Sequence, residues 1–267
     1  MIDPFMYIYL FPLGILIAVL AISAGISGSN FWIPVFFIWL GIDPKTAFWL
    51  ALLTMVFGFG SGIIRNAVQK TIHWAIAKKY LEIAVPFTIL GTLLVPFAPA
   101  NLLLGLFGGF VILYGAFLIY RFGLSHRRDE PAVRGTVEKI YRPQAALAGF
   151  LQGLIATGTG KIIMPCVLRN CRIRTPAEAV GTTVAIIFMV TLVAALFRLT
   201  PDFVSTLAGQ RDLIVSILIW VAPGVILGGQ IGPVVAGKLS EREMRVYTGV
   251  LLVSVGILTC LRTFSGY

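Results

Sequence analysis

The chain is written as apolar runs joined by short polar links, at about 5–24, 31–40, 46–64, 81–98, 102–121, 144–157, 162–168, 178–198, 213–236 and 246–263. A helix of about 20 such residues crosses the roughly 30 Å of hydrocarbon in a bilayer. Hydrocarbon holds no water to satisfy a backbone N–H or C=O, so each crossing segment must close its hydrogen bonds internally. Composition agrees: 58% of residues are hydrophobic, 12% are charged, and mean hydropathy is +0.94. The fold class implied is an all-α polytopic membrane protein. No polar stretch is long enough for a separate water-soluble domain, so the chain is one membrane domain. The net charge of +10 would suit nucleic acid, but the basic residues sit in short links between runs. That distribution is a topology signal, and no nucleic-acid partner is expected. The start, Met1-Ile2-Asp3-Pro4, has no positive n-region, so no cleaved signal peptide is expected. Cys166, Cys171 and Cys260 match no zinc spacing and read as packing residues.

Two runs, 31–40 and 162–168, are too short to cross as helices. Each follows a glycine-rich break, Gly25-Ile26-Ser27-Gly28-Ser29-Asn30 in one case and Ala156-Thr157-Gly158-Thr159-Gly160-Lys161 in the other. We therefore read 5–40 and 144–168 as re-entrant helical hairpins, and the other six runs as spans. The halves repeat: Pro86, Gly91 and Pro96 are spaced as Pro223, Gly228 and Pro233 are, Pro34 and Pro165 follow the breaks, and Ala47 corresponds to Ala179. Residues 1–121 form a first repeat (hairpin 5–40, spans 46–64, 81–98 and 102–121). A cytoplasmic linker follows at 122–143. Residues 144–267 form the second repeat (hairpin 144–168, spans 178–198, 213–236 and 246–263).

Three spans per half invert the second repeat relative to the first. Inversion places 16 lysines and arginines inside: Arg65, Lys70, Lys78 and Lys79, six between Arg121 and Arg142, Arg169, Arg172 and Arg174, and Lys238, Arg242 and Arg245. Lys45, Arg198, Arg211 and Arg262 fall outside, and Lys161 lies within the membrane. Treating each hairpin as a single crossing lowers the split to 13 against 7. Positive-inside bias thus favours two inverted-topology repeats with both termini outside. Within the linker, Arg127, Arg128, Asp129, Glu130 and Pro131 read as a solvated hinge.

Inverted hairpins would bring their tips together near the bilayer midplane, with short helices starting near Phe31 and Ile162. A helix N-terminus presents unpaired N–H groups and about half a positive charge. Two such ends facing one cavity suit an anion, and glycine lets a ligand approach the backbone. Candidate binding residues are Ser27, Gly28, Ser29, Asn30, Thr157, Gly158, Thr159, Gly160 and Lys161. A lysine at mid-membrane costs about 2.5–3.5 kcal/mol, which a bound anion offsets. The alternative is that Lys161 snorkels to the cytoplasmic face. Thr182 and Thr183, after Gly181, are candidates to line the cavity, with Thr54 as a looser counterpart; the alternative is hydroxyl-to-carbonyl bonding within their helix. Gln152 and Asn170 carry less weight.

Positions 158–161 resemble part of a phosphate-binding P-loop, but Ile155 and Ile162 occupy its glycine and magnesium-ligand positions. The histidines, His73 and His126, lie in cytoplasmic loops, and no span carries clustered carboxylates. No catalytic residue, metal site or cofactor is expected, and the chain does not read as an enzyme.

At the two breaks the chain resembles the sulfite exporter TauE/SafE family, the toluene-sulfonate uptake permeases. The resemblance runs through both halves: Gly25 through Pro34 with Ala47, Gly158 through Pro165 with Ala179, Gly181, Thr182 and Thr183, and the pattern around Gly91 and Gly228. It implies a secondary transporter in the bacterial inner membrane, moving sulfite, an organosulfonate such as sulfoacetate, or a related small anion, often outward. Ser29, Asn30 and Lys161 stand where the family usually has glycine or small residues. A proton is the expected coupling ion, with sodium as the alternative; Glu82 and Glu178 sit near span ends and face headgroups. An anion channel, or an uptake permease for another carboxylate or oxyanion, is the rival reading.

Overall fold

The computed structural model describes residues 4–23, 26–124, 139–236 and 241–264. Gly25 of the first break, His126 and the charged 127–131 segment lie outside the described residues. Eleven α-helices and no strand occur among the described residues: α1 (Leu10–Ser23), α2 (Ser29–Pro34), α3 (Pro44–Val68), α4 (Trp74–Leu94), α5 (Ala100–Leu118), α6 (Arg142–Ile155), α7 (Thr159–Leu168), α8 (Pro176–Phe197), α9 (Pro201–Gly209), α10 (Arg211–Ala236) and α11 (Glu241–Phe264). The last residues of the short helix after the first break, Val35–Trp39, wind as a π-turn beyond Pro34.

Capping chemistry sets the helix starts. Asp43 accepts from the Thr46 N–H, Thr175 from Glu178 and Thr200 from Phe203, each directly before a proline at the first helical position. Thr175 with Glu178 three residues on is a capping-box sequence. The same device starts α9, a short helix in a connection with no apolar run; it buries none of its residues.

Six described helical stretches are long and apolar enough to cross a membrane: Phe5–Ile22, Pro44–Val68, Ala100–Gly123, Ala177–Phe197, Arg211–Gly232 and Val246–Thr263. Five coincide with expected spans. The sixth differs, because Phe5–Ile22, expected as a hairpin arm, is itself 18 residues long. Conversely, the span expected at 81–98 is the later part of α4, where Lys78, Lys79 and Glu82 leave 83–94 as the uncharged length. The two short apolar helices, Ser29–Trp39 and Thr159–Leu168, follow the breaks.

Helix contacts come in corresponding sets. α1 packs on α10, and α6 on α4; α3 packs on α10, and α8 on α4; α2 packs on α3, and α7 on α8. α3 also packs on α8, and α5 on α11. Glycines make the closest of these contacts. A Cβ on Gly91 would collide with the Phe150 carbonyl oxygen of α6, and one on Gly228 would lie 2.6 Å from Ala18 Cβ of α1. Gly115 and Gly249 face each other's carbonyl oxygens across α5 and α11. Close backbone approach through small residues is how helices associate where lipid removes the hydrophobic driving force.

Registers give directions. Along the α1–α10 contact Gly14 meets Gly224, Ala18 meets Gly228 and Ile22 meets Gly232, so these helices run parallel. α3 also runs parallel to α10, with Gly58 near Val225 and Ser61 bonded to Ile226 O. α1 and α3 therefore point the same way, and the chain doubles back between them through the short helix Ser29–Trp39. α3 and α8 are antiparallel: Trp49 Nε1 donates to Ala195 O near one end, and Gly62 lies against Val184 near the other. Large side chains such as Trp32, Phe36, Phe48 and Phe107 fill the interior, while Leu16, Leu113, Ile219 and Leu258 are exposed on the outer faces.

Candidate functional site

The two breaks meet in the interior. α6 ends in Ala156, which holds a left-handed φ of 54°, and α7 starts after Gly158, whose φ of 115° suits glycine. The helices start at Ser29 and Thr159, slightly before the expected Phe31 and Ile162. Three hydrogen bonds tie the segments, and a fourth orients the Asn30 amide. Ser29 Oγ donates to Ala156 O at 2.6 Å, and Thr157 Oγ1 to Asn30 Oδ1 at 2.8 Å. Lys161 Nζ donates to the same Asn30 Oδ1 at 3.1 Å, while Asn30 Nδ2 donates to Ser27 O at 2.6 Å and so fixes which way the amide points. Ser27 and Ser29 hydroxyls share a bond of 2.8 Å, and Ser27 also reaches Met55 Sδ.

Lys161 is 5% exposed. That burial rules against the snorkelling alternative. Its ammonium lies 4.9 Å from the Phe110 ring centroid and 4.8 Å from that of Tyr114, both on α5. Cation–π attraction of about 0.5–2 kcal/mol per ring offsets much of the desolvation cost. One of three N–H donors is engaged by Asn30. Among the described residues the polar neighbours of Nζ are neutral, so the positive charge is stabilised without being cancelled.

The helix ends differ. Asn30 and Phe31 amides already bond to Ser27 O and Gly28 O in a tight turn. On the α7 side Ile162 N bonds to Gly158 O, which leaves Thr159, Gly160 and Lys161 as the first-turn amides, where a helix has donors to spare. Thr159 Oγ1 is held by Gln152 Oε1 at 3.0 Å, and Gln152 Nε2 donates to Thr191 Oγ1 at 3.1 Å. Gln152 thus braces α7 from α6 and α8, a larger part than its sequence weight suggested.

Ser27, Ser29, Asn30, Thr157 and Lys161 are brought together, with Gly28, Gly158 and Gly160 in the same turns, while the Thr159 hydroxyl turns to Ala148 O and Gln152 on α6. Thr182 is elsewhere: its hydroxyl accepts from the His73 N–H of the α3–α4 connection. Thr183 lines a cavity of about 20 Å³ with Ala21, Ile26 and Met164, and its buried Oγ1 has no partner among the described residues. Thr54 lines a similar cavity beside Gly28 and Trp32, with its hydroxyl bonded to Ala51 O within α3. Asn170 caps the turn after α7 by accepting from Arg172 N. Phe110 and Tyr114 escaped the sequence reading. Their spacing of four on one helix was the available signal, but nothing local names the cation they face.

A family model described as sulfite exporter TauE/SafE matches residues 10–259. No curated protein matches the chain, and no solved structure does.

Proposed function

Because the chain belongs to the sulfite exporter TauE/SafE family, a family of membrane transporters for sulfur anions, we propose that it is a secondary transporter carrying a small sulfur oxyanion or organosulfonate, such as sulfite or sulfoacetate, out of the bacterial cytoplasm by alternating access. The observation that carries this reading is the meeting of the two breaks around a buried, uncancelled cation: Ser29 bonds to Ala156 O, and Asn30 bonds to both Thr157 and Lys161.

Each residue has a role. Lys161 supplies charge, and its two remaining N–H donors suit an oxyanion. Ser27, Ser29, Thr157 and Thr159 supply hydroxyls, and Gly158 and Gly160 keep the α7 amides approachable. The bonds between the breaks act as a clasp. A substrate anion takes over the donors of Ser29, Thr157 and Lys161, which frees one tip to move against the other. Thr183, whose hydroxyl has no partner among the described residues and lines a small cavity with Ile26, is a further donor for the anion.

The paired contacts support two inverted repeats, since α1 on α10, α3 on α10 and α2 on α3 are matched by α6 on α4, α8 on α4 and α7 on α8. The parallel run of α1 and α3 supports a re-entrant first hairpin. With positive charge inside, both termini face outward and Lys45, Arg198 and α9 lie on the outer side. Coupling falls to a proton, with sodium as the alternative.

Uptake of labelled sulfite by purified protein in sealed vesicles tests the reading. The expected result is saturable flux that accelerates when unlabelled sulfite is present in trans. Flux without saturation or trans-acceleration identifies a channel, and no flux with any of sulfite, thiosulfate, taurine or sulfoacetate removes the proposal.

A further inference from the structure

A second cluster of positive charge lies where α3 begins and α4 and α8 end. A cavity of about 300 Å³ is lined there by Lys45, Thr92, Arg198, Thr200, Asp202 and Thr206. That size falls at the low end of small-molecule sites, about 300–1,000 Å³. Arg198 is 5% exposed. Its Nη2 donates to Gly153 O at 2.7 Å and Leu154 O at 3.0 Å, but Nε and Nη1 have no partner among the described residues. A guanidinium carries five donors, and burying them unmatched is costly. Lys45 stands at the rim, partly exposed, with Nζ donating to Pro96 O at 3.0 Å. Two cations meet one carboxylate, Asp202, which sits in the first turn of α9, where the positive helix end already attracts it.

We infer that this cavity is a second anion site, in which Lys45 and Arg198 bind a small oxyanion and the Thr200 hydroxyl, whose oxygen accepts from the Phe203 N–H, gives its proton to the anion. Lys45 meets the anion first, being at the rim. The Arg198 fork then offers the geometry that planar or trigonal oxygen pairs need. The carbonyls that hold Arg198, Gly153 and Leu154, belong to the last turn of α6, directly before Ala156, whose carbonyl accepts Ser29. Occupancy therefore draws the guanidinium away from the helix end that forms the central clasp, and links the outer cavity to the tips by one turn of helix. The ligand class rests on the transport reading; the site itself rests on the cavity and its charges.

Calorimetric titration of sodium sulfite into purified, folded Lys161→Ala protein tests it, because the central cation is then gone. The expected result is one equivalent bound, weakened about fivefold by Lys45→Gln and restored by Lys45→Arg, as one partly exposed charge implies. If Lys161→Ala does not fold, Asn30→Asp, which neutralises the same cation, takes its place. No heat of binding from a folded variant, or binding indifferent to Lys45→Gln, overturns the inference. Vesicles that fail to move sulfite while this titration succeeds would instead sink the transport reading alone.

Discussion

Lys161 Nζ and Asn30 Oδ1 lie 3.1 Å apart across 131 residues of chain. The carbonyl end of one amide is shared between that ammonium and the Thr157 hydroxyl, so a single side chain of the first break holds two groups of the second.

Removing the charge tests its use. Lys161→Ala weakens sulfite or sulfonate binding at the tips by about tenfold or more, as expected for a desolvated charge-assisted contact. Its melting temperature does not fall, because a buried charge has been removed. Equal affinity in the two proteins, measured by titration at fixed ionic strength, would show that the ammonium does not face the ligand.

Asn30→Asp places a carboxylate beside the ammonium. The resulting internal ion pair competes with any external anion, so anion binding at the tips is lost while the fold persists. Melting curves with and without sulfite, compared in a Lys45→Gln background that weakens the outer cavity, check this: the Asn30→Asp protein shows a smaller ligand-dependent rise than its Asn30 counterpart. An equal rise in the two proteins contradicts the arrangement.

Glycine substitutions separate close packing from open surface. Gly91→Ala drives a Cβ into Phe150 O and Gly228→Ala into Ala18, each costing about 1–3 kcal/mol, whereas Gly105 has nothing within 4 Å and Gly105→Ala is close to neutral. Unfolding in detergent, compared across the three, reads the order directly.

Ala156 holds φ 54° at the C-cap of α6. Ala156→Gly relieves the left-handed strain and stabilises the protein by about 0.5–1 kcal/mol, provided the Ser29 bond to the residue 156 carbonyl is kept. A lower melting temperature would mean that backbone freedom at the break outweighs the strain.

Much of this organisation could be read from residue order. Run length placed five of the six crossing helices, and glycine before a short apolar run located both interior breaks. What escaped was three-dimensional adjacency. Phe110 and Tyr114 look like lipid-facing aromatics until α5 is placed against α7. Arg198 counts as one more outer charge until its guanidinium is seen capping α6. Thr182 and Thr183 are neighbours in sequence, yet one supports the α3–α4 connection and the other faces a small cavity, because successive helical side chains point about 100° apart. Lys78, Lys79 and Glu82 show the limit of hydropathy: they extend the helix of a run without extending its apolar length.

The seating of α1 on α10 has a consequence for how the protein is made. α10 emerges from the ribosome about 200 residues after α1, so the earliest helix stays without its permanent neighbour through most of synthesis. A nascent chain halted before α10 would leave the Gly14, Ala18 and Ile22 face of α1 open to lipids, quality-control proteases or the wrong helix.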